Sequence, residues 1–246
     1  MPLHYAPWAH GFNESEVYRV AGALVQTGMA KLGFTYVNLD CGWSTGYRSA
    51  DGKLQVNATL FPSAASGDGF APLAAKVHSM GLKLGIYTSG HQCCSPKDGT
   101  DGSEGMEEQD AQQFADWGID YVKDDDCGSS PDHFTKMRNA IAKTKRPMVY
   151  SIHSPWTHKQ TLHPNPRDSV SIANSARTTN DITPSWETIL DRAHTNNLFA
   201  NLSQPGYFNV RCRHIDLCTS MQRQPAQRVI LKSDWMCAQD PDMLGA

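Results

Sequence analysis

Apolar and polar positions follow two alternating patterns along this chain. Short runs rich in Val, Ile and Tyr are separated by longer segments in which apolar residues recur every three or four positions. Near-continuous apolar runs are typical of strands buried on both faces, and the second spacing is typical of amphipathic helices. The sequence therefore predicts strands at residues 35–40, 83–88, 120–125, 147–152, 169–174 and 198–202.

Five amphipathic segments lie beside these runs. The first, at 14–32, is preceded by Asn13, which forms with Glu16 a capping box typical of a helix start. Gly81 and Gly118 each follow such a segment, where glycine commonly ends a helix. The predicted apolar faces consist of Val17, Val20, Leu24, Met29 and Leu32; of residues within 73–80; of Ala111, Phe114 and Trp117; of Phe134, Met137 and Ile141; and of Trp186, Ile189, Leu190 and Ala193.

Alternating strands and helices build a parallel sheet, which is either doubly wound and open or closed into a barrel. An open sheet that binds nucleotides has a glycine-rich turn after an early strand, and Cys41-Gly42-Trp43 does not fit that pattern. The length of 246 residues is close to the ~250 of a single (β/α)8 barrel. We predict an α/β fold of the (β/α)8 TIM-barrel type, with a first strand near 2–8, an eighth near 229–232 and incomplete last strand–helix units.

Composition narrows the partners and the cellular compartment. The formal net charge is −3 and no apolar run approaches the ~18 residues of a membrane span, so we expect neither a nucleic-acid partner nor a membrane segment. The seven cysteines include no CxxC pair, so we expect no metal site. Sequons at Asn13, Asn57 and Asn201, together with the cysteines, favour a secretory context. We expect a secreted protein whose signal peptide is not part of this chain.

Polar and acidic residues follow the ends of the predicted strands, whereas the strand bodies are apolar. Active sites of (β/α)8 barrels form at the carboxyl ends of the strands. The candidate site residues at these ends are Trp8, Asp40, Cys41, Tyr87, Lys123, the aspartates at 124–126, His153, Arg177 and Asp181.

Lys123 and Asp125 face the same side of their predicted strand, because side chains alternate along a strand. A lysine beside a carboxylate keeps it ionised, as a nucleophile requires, although three adjacent aspartates also fit a solvated loop. A buried nucleophilic carboxylate is one half of the pair used by retaining glycosidases, in which a second carboxylate lies ~5–5.5 Å from the first and acts as the acid/base. We expect Asp181, which follows the sixth predicted strand, to face Asp125 across the barrel mouth, and its alternative role is to cap the helix that contains Trp186.

Four motifs resemble those of the glycoside hydrolase family 27 α-galactosidases, also called melibiases, and especially their fungal members. The motifs are TYVNLDCGW at 35–43, KLGIY at 83–87, DAQQFADWGIDYVKDDDC at 110–127 and RTTNDITPSW at 177–186. The third is similar to the family's DAxxFAxWGxDYLKYDNC, and the fourth to its RxxxDIxxSW. The likeness extends from about residue 2 to about residue 209.

The resemblance implies a function and a role for each matched residue. It implies hydrolysis of a galactose-containing saccharide without a cofactor, with Asp125 as the nucleophile and Asp181 as the acid/base. It implies a disulfide between Cys127 and the loop after residues 83–88, with Cys94 as the expected partner and Cys93 as the alternative. The implied galactose contacts come from Trp8, Asp40, Tyr87, Lys123 and Arg177.

Two departures from the family pattern leave the specificity open. Cys41 stands where many relatives have a second Asp, which grips the axial hydroxyl and the hydroxymethyl of the sugar. His153 stands where animal members have a Glu that contacts the 2-hydroxyl, and its alternative is a surface-loop histidine. We therefore retain three functions: an α-galactosidase, a family member specific for α-N-acetylgalactosaminides or β-L-arabinopyranosides, and an inactive galactose-binding remnant.

The likeness weakens toward the end of the chain. The family continues PGxWNDPDML after its seventh strand, whereas here PGYFN at 205–209 is followed by VRCR, and DPDML appears only at 240–244. We expect a catalytic barrel over 1–209, an atypical segment over 210–246 and no C-terminal β domain, as in a truncated or altered gene product. The oligomeric state stays open.

Overall fold

A parallel sheet forms the centre of the molecule in this computed structural model, which describes residues 12–94, 96, 98–153, 166–179, 183 and 185–209. The strands are β1 (Tyr36–Asn38), β2 (Ser44–Arg48), β3 (Leu54–Val56), β4 (Lys83–Ser89), β5 (Tyr121–Asp125), β6 (Val149–His153), β7 (Ser175–Arg177) and β8 (Phe208–Asn209). Six of them form one sheet in the order β1-β4-β5-β6-β7-β8, and every neighbouring pair in it is parallel. All six carboxyl ends therefore lie at one edge.

Helices alternate with these strands along the described chain. Gly81 and Gly118 follow two of the helices with positive φ angles of 75° and 78°, as predicted for helix ends. The helices are α1 (Glu14–Gln26), α2 (Ala71–Ser79), α3 (Glu107–Asp116), α4 (Pro131–Lys143), α5 (Pro166–Ile172) and α6 (Trp186–Asn197), with short 3-10 helices at Met29–Leu32, Pro62–Ser66 and Ala200–Leu202.

The predicted (β/α)8 TIM-barrel class is confirmed, and the described residues supply six of its parallel strands with their helices. Four predicted strands, 35–40, 83–88, 120–125 and 147–152, coincide with β1, β4, β5 and β6. The strands expected at 2–8 and 229–232 lie outside the described residues, as does the segment 210–246.

Two strand predictions are wrong. Residues 169–174 largely belong to α5, and the strand follows at Ser175–Arg177. Residues 198–202 include a 3-10 helix, and the next strand is Phe208–Asn209. Short apolar segments fit either a buried strand or a buried helix turn, so their hydrophobic pattern could not separate the two.

The helix predicted over 14–32 is also divided. The side chain of Asn13 accepts a hydrogen bond from the Glu16 N–H at 3.1 Å, so α1 begins at the predicted cap. The helix ends at Gln26 because Gly28 adopts a left-handed conformation, with φ of 77°.

The apolar face predicted for α6 is wrong at one residue, since Trp186 is 63% exposed and does not belong to a buried face.

The antiparallel hairpin of β2 and β3, which follows β1, was not predicted from the sequence. The guanidinium of Arg48 fixes the hairpin to α3, because its Nη1 and Nη2 donate to Asp110 at 2.7 and 2.6 Å. Beneath the hairpin, the ring of Trp43 packs edge-on against Phe70 and Trp117, with ring centroids 5.5 and 5.9 Å apart.

The core lies between the sheet and its helices. Six of the seven residues of β4 are buried, which is expected for a central strand covered on both faces. Gly85 in this strand leaves room for the side chain of Asn38, since a Cβ there would lie 2.0 Å from the Asn38 Oδ1 atom.

Among the described residues, no helix combines the length and the apolar character needed to cross a bilayer.

Candidate active site

Predicted site residues from five strands converge at the carboxyl edge of the sheet. Asp40 follows β1, Tyr87 lies in β4, and Lys123 and Asp125 lie in β5. His153 ends β6 and Arg177 ends β7, where the two are register partners. This edge is where barrel enzymes carry their chemistry, because the strand ends bring together side chains that are distant in sequence.

Asp125 is at the centre of this group. Its Oδ1 atom lies 2.7 Å from Nδ1 of His153 and 3.3 Å from Nη2 of Arg177. Its Oδ2 atom accepts a hydrogen bond from the Tyr87 hydroxyl at 3.1 Å. The side chain of Asp125 is 16% exposed, so the carboxylate is largely buried yet reachable from the barrel mouth.

The surroundings keep Asp125 ionised. Burial alone would raise the pKa of the Asp125 carboxyl, but the hydrogen bond with His153 and the positive charges of Lys123 and Arg177 outweigh burial and hold that pKa well below its usual range. Tyr87 remains a neutral phenol, because burial and the negative charges of Asp125 and Asp40 raise its pKa well above the ordinary value. The site therefore presents a carboxylate anion beside a hydroxyl donor.

Lys123 connects two strand ends. Its ammonium donates to Oδ2 of Asp40 at 2.9 Å, and both side chains are almost fully buried. The ammonium also lies 5.3 Å from the centre of the Tyr87 ring. The other oxygen of Asp40 accepts the Cys41 backbone N–H at 2.7 Å, which fixes the orientation of the carboxylate.

His153 is a buried residue and not a surface-loop histidine. Its Nε2 atom lies 3.1 Å from the Thr179 carbonyl oxygen, which can only accept, so Nε2 carries a proton. Its Nδ1 atom lies 2.7 Å from both Asp125 Oδ1 and Arg177 Nη2. Asp125 and Arg177 are therefore both within hydrogen-bonding distance of the same ring nitrogen of His153.

The three adjacent aspartates do not form a solvated loop. Asp124 is 0% exposed and Asp125 is the last residue of β5. As the strand alternation predicts, Asp124 points away from the site, and its carboxylate contacts His133 and Tyr150. His133 and this buried network were not predicted from the sequence. The signal for them in the sequence is Asp124, which stands where the related motif has Tyr.

The predicted disulfide between Cys94 and Cys127 is wrong. Cys127 is bonded to Cys93, and Cys94 is bonded to Cys41. The loop after β4 lies between the loops after β1 and β5, because β4 lies between those strands in the sheet. The two neighbouring cysteines therefore reach opposite neighbours, and the two disulfides together fasten three loops around Asp125.

Cys41, a candidate substrate-binding residue, is one half of the bond to Cys94. Its sulfur is oxidised and its side chain is buried, so it offers no thiol donor to a sugar. Cys93, Asp125 and Cys127 bring sulfur and carboxylate atoms within 4.8 Å of one another, but both sulfurs belong to one disulfide and present no thiolate to a metal ion.

Two predicted site residues, Trp8 and Asp181, lie outside the described residues. The predicted acid/base therefore has no position relative to Asp125 here, and its role stays a prediction. Asp40, Tyr87, Lys123, His153 and Arg177 are brought together with Asp125 as expected.

Known proteins are similar to this chain in sequence and in fold. The family model described as alpha galactosidase A matches residues 9–230. An α-galactosidase from Cyamopsis tetragonoloba is 38% identical over 217 residues, which are 85% of this chain and 50% of that protein. The chain thus spans about half the length of the curated relatives that it matches.

Solved structures agree with these sequence matches. The α-galactosidase I of Mortierella vinacea superimposes with a TM-score of 0.65 at 27% identity, covering 80% of this chain and 54% of that one. A family 27 β-L-arabinopyranosidase of Geobacillus stearothermophilus, solved with arabinose, has a TM-score of 0.64 at 25% identity and covers 80% and 57%. The chain belongs to the α-galactosidase, or melibiase, family of glycoside hydrolases.

Proposed function

We propose that this chain carries the catalytic site of a retaining α-galactosidase, which removes terminal α-linked D-galactose from oligosaccharides, polysaccharides or glycoconjugates. The observation that carries the proposal is the position of the Asp125 carboxylate, which contacts Tyr87, His153 and Arg177 at the carboxyl edge of the barrel sheet. An anionic oxygen in a largely buried site is what nucleophilic attack on a sugar carbon requires. Family membership supports the same reaction class.

The reaction proceeds in two displacements. Asp125 attacks the anomeric carbon of galactose and forms a covalent glycosyl-enzyme, while Asp181 protonates the departing glycosidic oxygen. Asp181 then takes a proton from water, which attacks the same carbon and releases galactose with its original anomeric configuration. Asp125 is returned as a carboxylate, so the balance over both steps is the hydrolysis of one glycosidic bond.

The other residues bind and orient the sugar in this proposal. Asp40 accepts sugar hydroxyls, and its bond to Lys123 fixes one of its oxygens in place. Arg177 and His153 lie beside the nucleophile, where they contact the hydroxyl next to the anomeric carbon. Trp8 completes the sugar-binding group from the first predicted strand.

Labelling with a mechanism-based fluorosugar tests the assignment of the nucleophile. Mass spectrometry of the digested protein should find the label on Asp125, and the Asp125→Asn variant should neither become labelled nor hydrolyse p-nitrophenyl α-galactoside. Asp126→Asn is the matched control, and we expect it to become labelled and to remain active. A label on Asp124 or Asp126 would show that the nucleophile is misassigned.

A different specificity within the family is the second candidate, and the state of Cys41 favours it. A disulfide sulfur stands where many relatives have a carboxylate that grips the hydroxymethyl group, so position 41 offers no carboxylate to that group. A pentopyranose lacks the hydroxymethyl group altogether. Comparing hydrolysis of p-nitrophenyl α-galactoside, α-N-acetylgalactosaminide and β-L-arabinopyranoside decides between the candidates, and a higher kcat/KM for the galactoside supports the first.

An inactive galactose-binding remnant is the remaining alternative, and calorimetry separates it from an enzyme. If galactose binds but none of the three glycosides is hydrolysed, the chain binds sugar without catalysis. If both binding and hydrolysis are observed, the remnant hypothesis is excluded.

We also propose that the protein works in the secretory pathway or outside the cell. Two disulfides close loops of 34 and 53 residues beside the site, and such bonds persist in oxidising compartments. Expression in a secreting host and in a reducing cytosol, followed by assay of both products, tests this. Equal specific activity and equal stability of the two products would contradict the proposal.

A further inference from the structure

A buried group of charged side chains lies directly behind the proposed nucleophile. It consists of Glu107 from α3, Asp124 from β5, His133 from α4 and Tyr150 from β6, and none is more than 7% exposed. Nδ1 of His133 lies 3.0 Å from Oε1 of Glu107, and Nε2 lies 3.1 Å from Oδ2 of Asp124. The Tyr150 hydroxyl donates to the same Asp124 carboxylate at 2.6 Å.

The geometry fixes the protonation state of His133. Both ring nitrogens face a carboxylate that only accepts, so both must carry protons and the ring is an imidazolium. Burial alone would lower the pKa of His133, but the charge and hydrogen bond of Asp124, with those of Glu107, outweigh burial and raise that pKa to about 9. The ring therefore remains charged below pH about 9.

The group joins three elements to one point of β5. Asp124 immediately precedes Asp125, so any rotation of the strand end that moves one side chain also moves the other. The contacts of Asp124 lead to α4 and β6, and His133 continues them to α3. The related motif has the aromatic residue of KYD at this position, so this chain supports the strand end with charge where that motif has a ring.

We infer that His133, bonded on both ring nitrogens to Asp124 and Glu107, is a positioning residue that fixes the carboxyl end of β5 and so the orientation of Asp125. The inference rests on the proposed role of Asp125. Removing the imidazolium leaves two buried carboxylates facing each other without a cation, and the strand end moves to separate or hydrate them. Asp125 then loses its alignment with Tyr87 and His153.

Further charged side chains of the described residues lie near this group. Asp110 of α3 lies near Glu107, and burial together with the charge of Glu107 raises the pKa of Asp110. Glu104, in the loop before α3, lies close enough for His133 to lower its pKa, and Arg138 of α4 lies near Tyr150. Tyr150 remains a neutral donor, because burial and the negative charge of Asp124 raise its pKa well above the ordinary value. The charge state of the group over the working range therefore depends on His133.

The test uses two variants of the network in the full chain. In His133→Gln the cation is removed, and in the milder Glu107→Gln a hydrogen-bond acceptor is kept and only the charge is lost. Controls are His78→Gln and Arg146→Gln, each of which removes a contact to Asp120, just before the start of β5 and away from the network. All are assayed at a temperature at which each protein is folded.

The expected result is a kinetic change confined to the network variants. We expect kcat to fall on the order of 10- to 100-fold in His133→Gln, with a smaller fall in Glu107→Gln and little change in KM, because displacing a reacting group by about 1 Å costs rates of this size. We expect the acid limb of the kcat/KM profile to move to higher pH, since a displaced Asp125 loses the contacts that lower its pKa. The controls should lose thermal stability but keep kcat and the profile.

Hydrogen exchange of the backbone amides supplies a readout that needs no activity. Exchange at residues 124–127 should become faster in the network variants and stay unchanged in the controls. If the wild-type protein hydrolyses no glycoside, the proposed function fails while the exchange experiment still tests the positioning role. Unchanged exchange and kcat in Glu107→Gln, or an equal fall in kcat in the two controls, would overturn the inference even if His133→Gln does not fold.

Discussion

Lys123 donates a hydrogen bond to Asp40 at 2.9 Å across an interval of 83 residues, and the two side chains are only 7% and 5% exposed. The pair joins the end of β1 to β5 through a cation that also lowers the pKa of Asp125. A single lysine thus orients a proposed sugar-binding carboxylate and helps to keep the proposed nucleophile ionised.

Removing one charged partner of this buried pair should destabilise the folded protein. Lys123→Met leaves Asp40 buried without its cation, so we expect the free energy of unfolding to fall by about 3–5 kcal/mol. The double variant Asp40→Asn/Lys123→Met should be less destabilised than the sum of the two single changes, because neither partner then remains charged. Guanidinium unfolding curves of the four proteins measure the coupling, and simple additivity would show that the pair contributes no interaction energy.

His153→Ala should reduce catalysis and shift its pH dependence. The hydrogen bond to Asp125 involves a charged acceptor and is worth about 1.5–3 kcal/mol, so kcat/KM should fall roughly 10- to 150-fold. Since this bond lowers the pKa of Asp125, its loss moves the acid limb of kcat/KM to higher pH. His91→Ala is the control, because His91 is 60% exposed and bonded to Glu104. An unchanged acid limb in His153→Ala would contradict the assigned contact.

The free energy of unfolding should decline between neutral and alkaline pH, because His133 loses its proton over this range. The folded pKa of about 9 lies above the ~6.5 of an unfolded histidine. The contribution of His133 is therefore fully present below pH ~6.5 and is lost as the pH rises through about 9, with a total on the order of 3 kcal/mol. Denaturant unfolding at intervals from pH 6 to pH 10 measures this loss. His133→Gln should show a shallower decline, and an identical slope would show that His133 does not titrate as described.

The disulfide pairing predicts which thiol each cysteine variant releases. Cys41→Ser should free Cys94, and Cys127→Ser should free Cys93, as identified by alkylation of the unfolded protein and mass spectrometry. Loss of either bond should cost about 4 kcal/mol, because the loops of 53 and 34 residues gain entropy in the unfolded chain. If Cys127→Ser instead released Cys94, the Cys94–Cys127 disulfide implied by the resemblance would be correct and the pairing described here would be wrong.

The hydrophobic pattern predicted the structure correctly where residues close together in the chain determine it. β4 and β5 were predicted nearly to the residue, because long apolar runs are distinctive. The opposite orientations of Asp124 and Asp125 also followed from the two-residue period of a strand. The strand at Ser175–Arg177 was missed, since it has only three residues and the helix before it carries the stronger apolar signal.

The sequence by itself determined the fold class, the edge of the sheet that carries the site and the identity of most residues there, since strand–helix alternation and strand period are local properties of the chain. Only the tertiary structure decided the partners. It assigned Cys94 to Cys41, Lys123 to Asp40 and His133 to the two carboxylates behind the nucleophile. These contacts depend on which strands are neighbours in the sheet and on the direction in which each loop leaves it. Neither property can be predicted from local sequence patterns, because the residues concerned lie far apart along the chain.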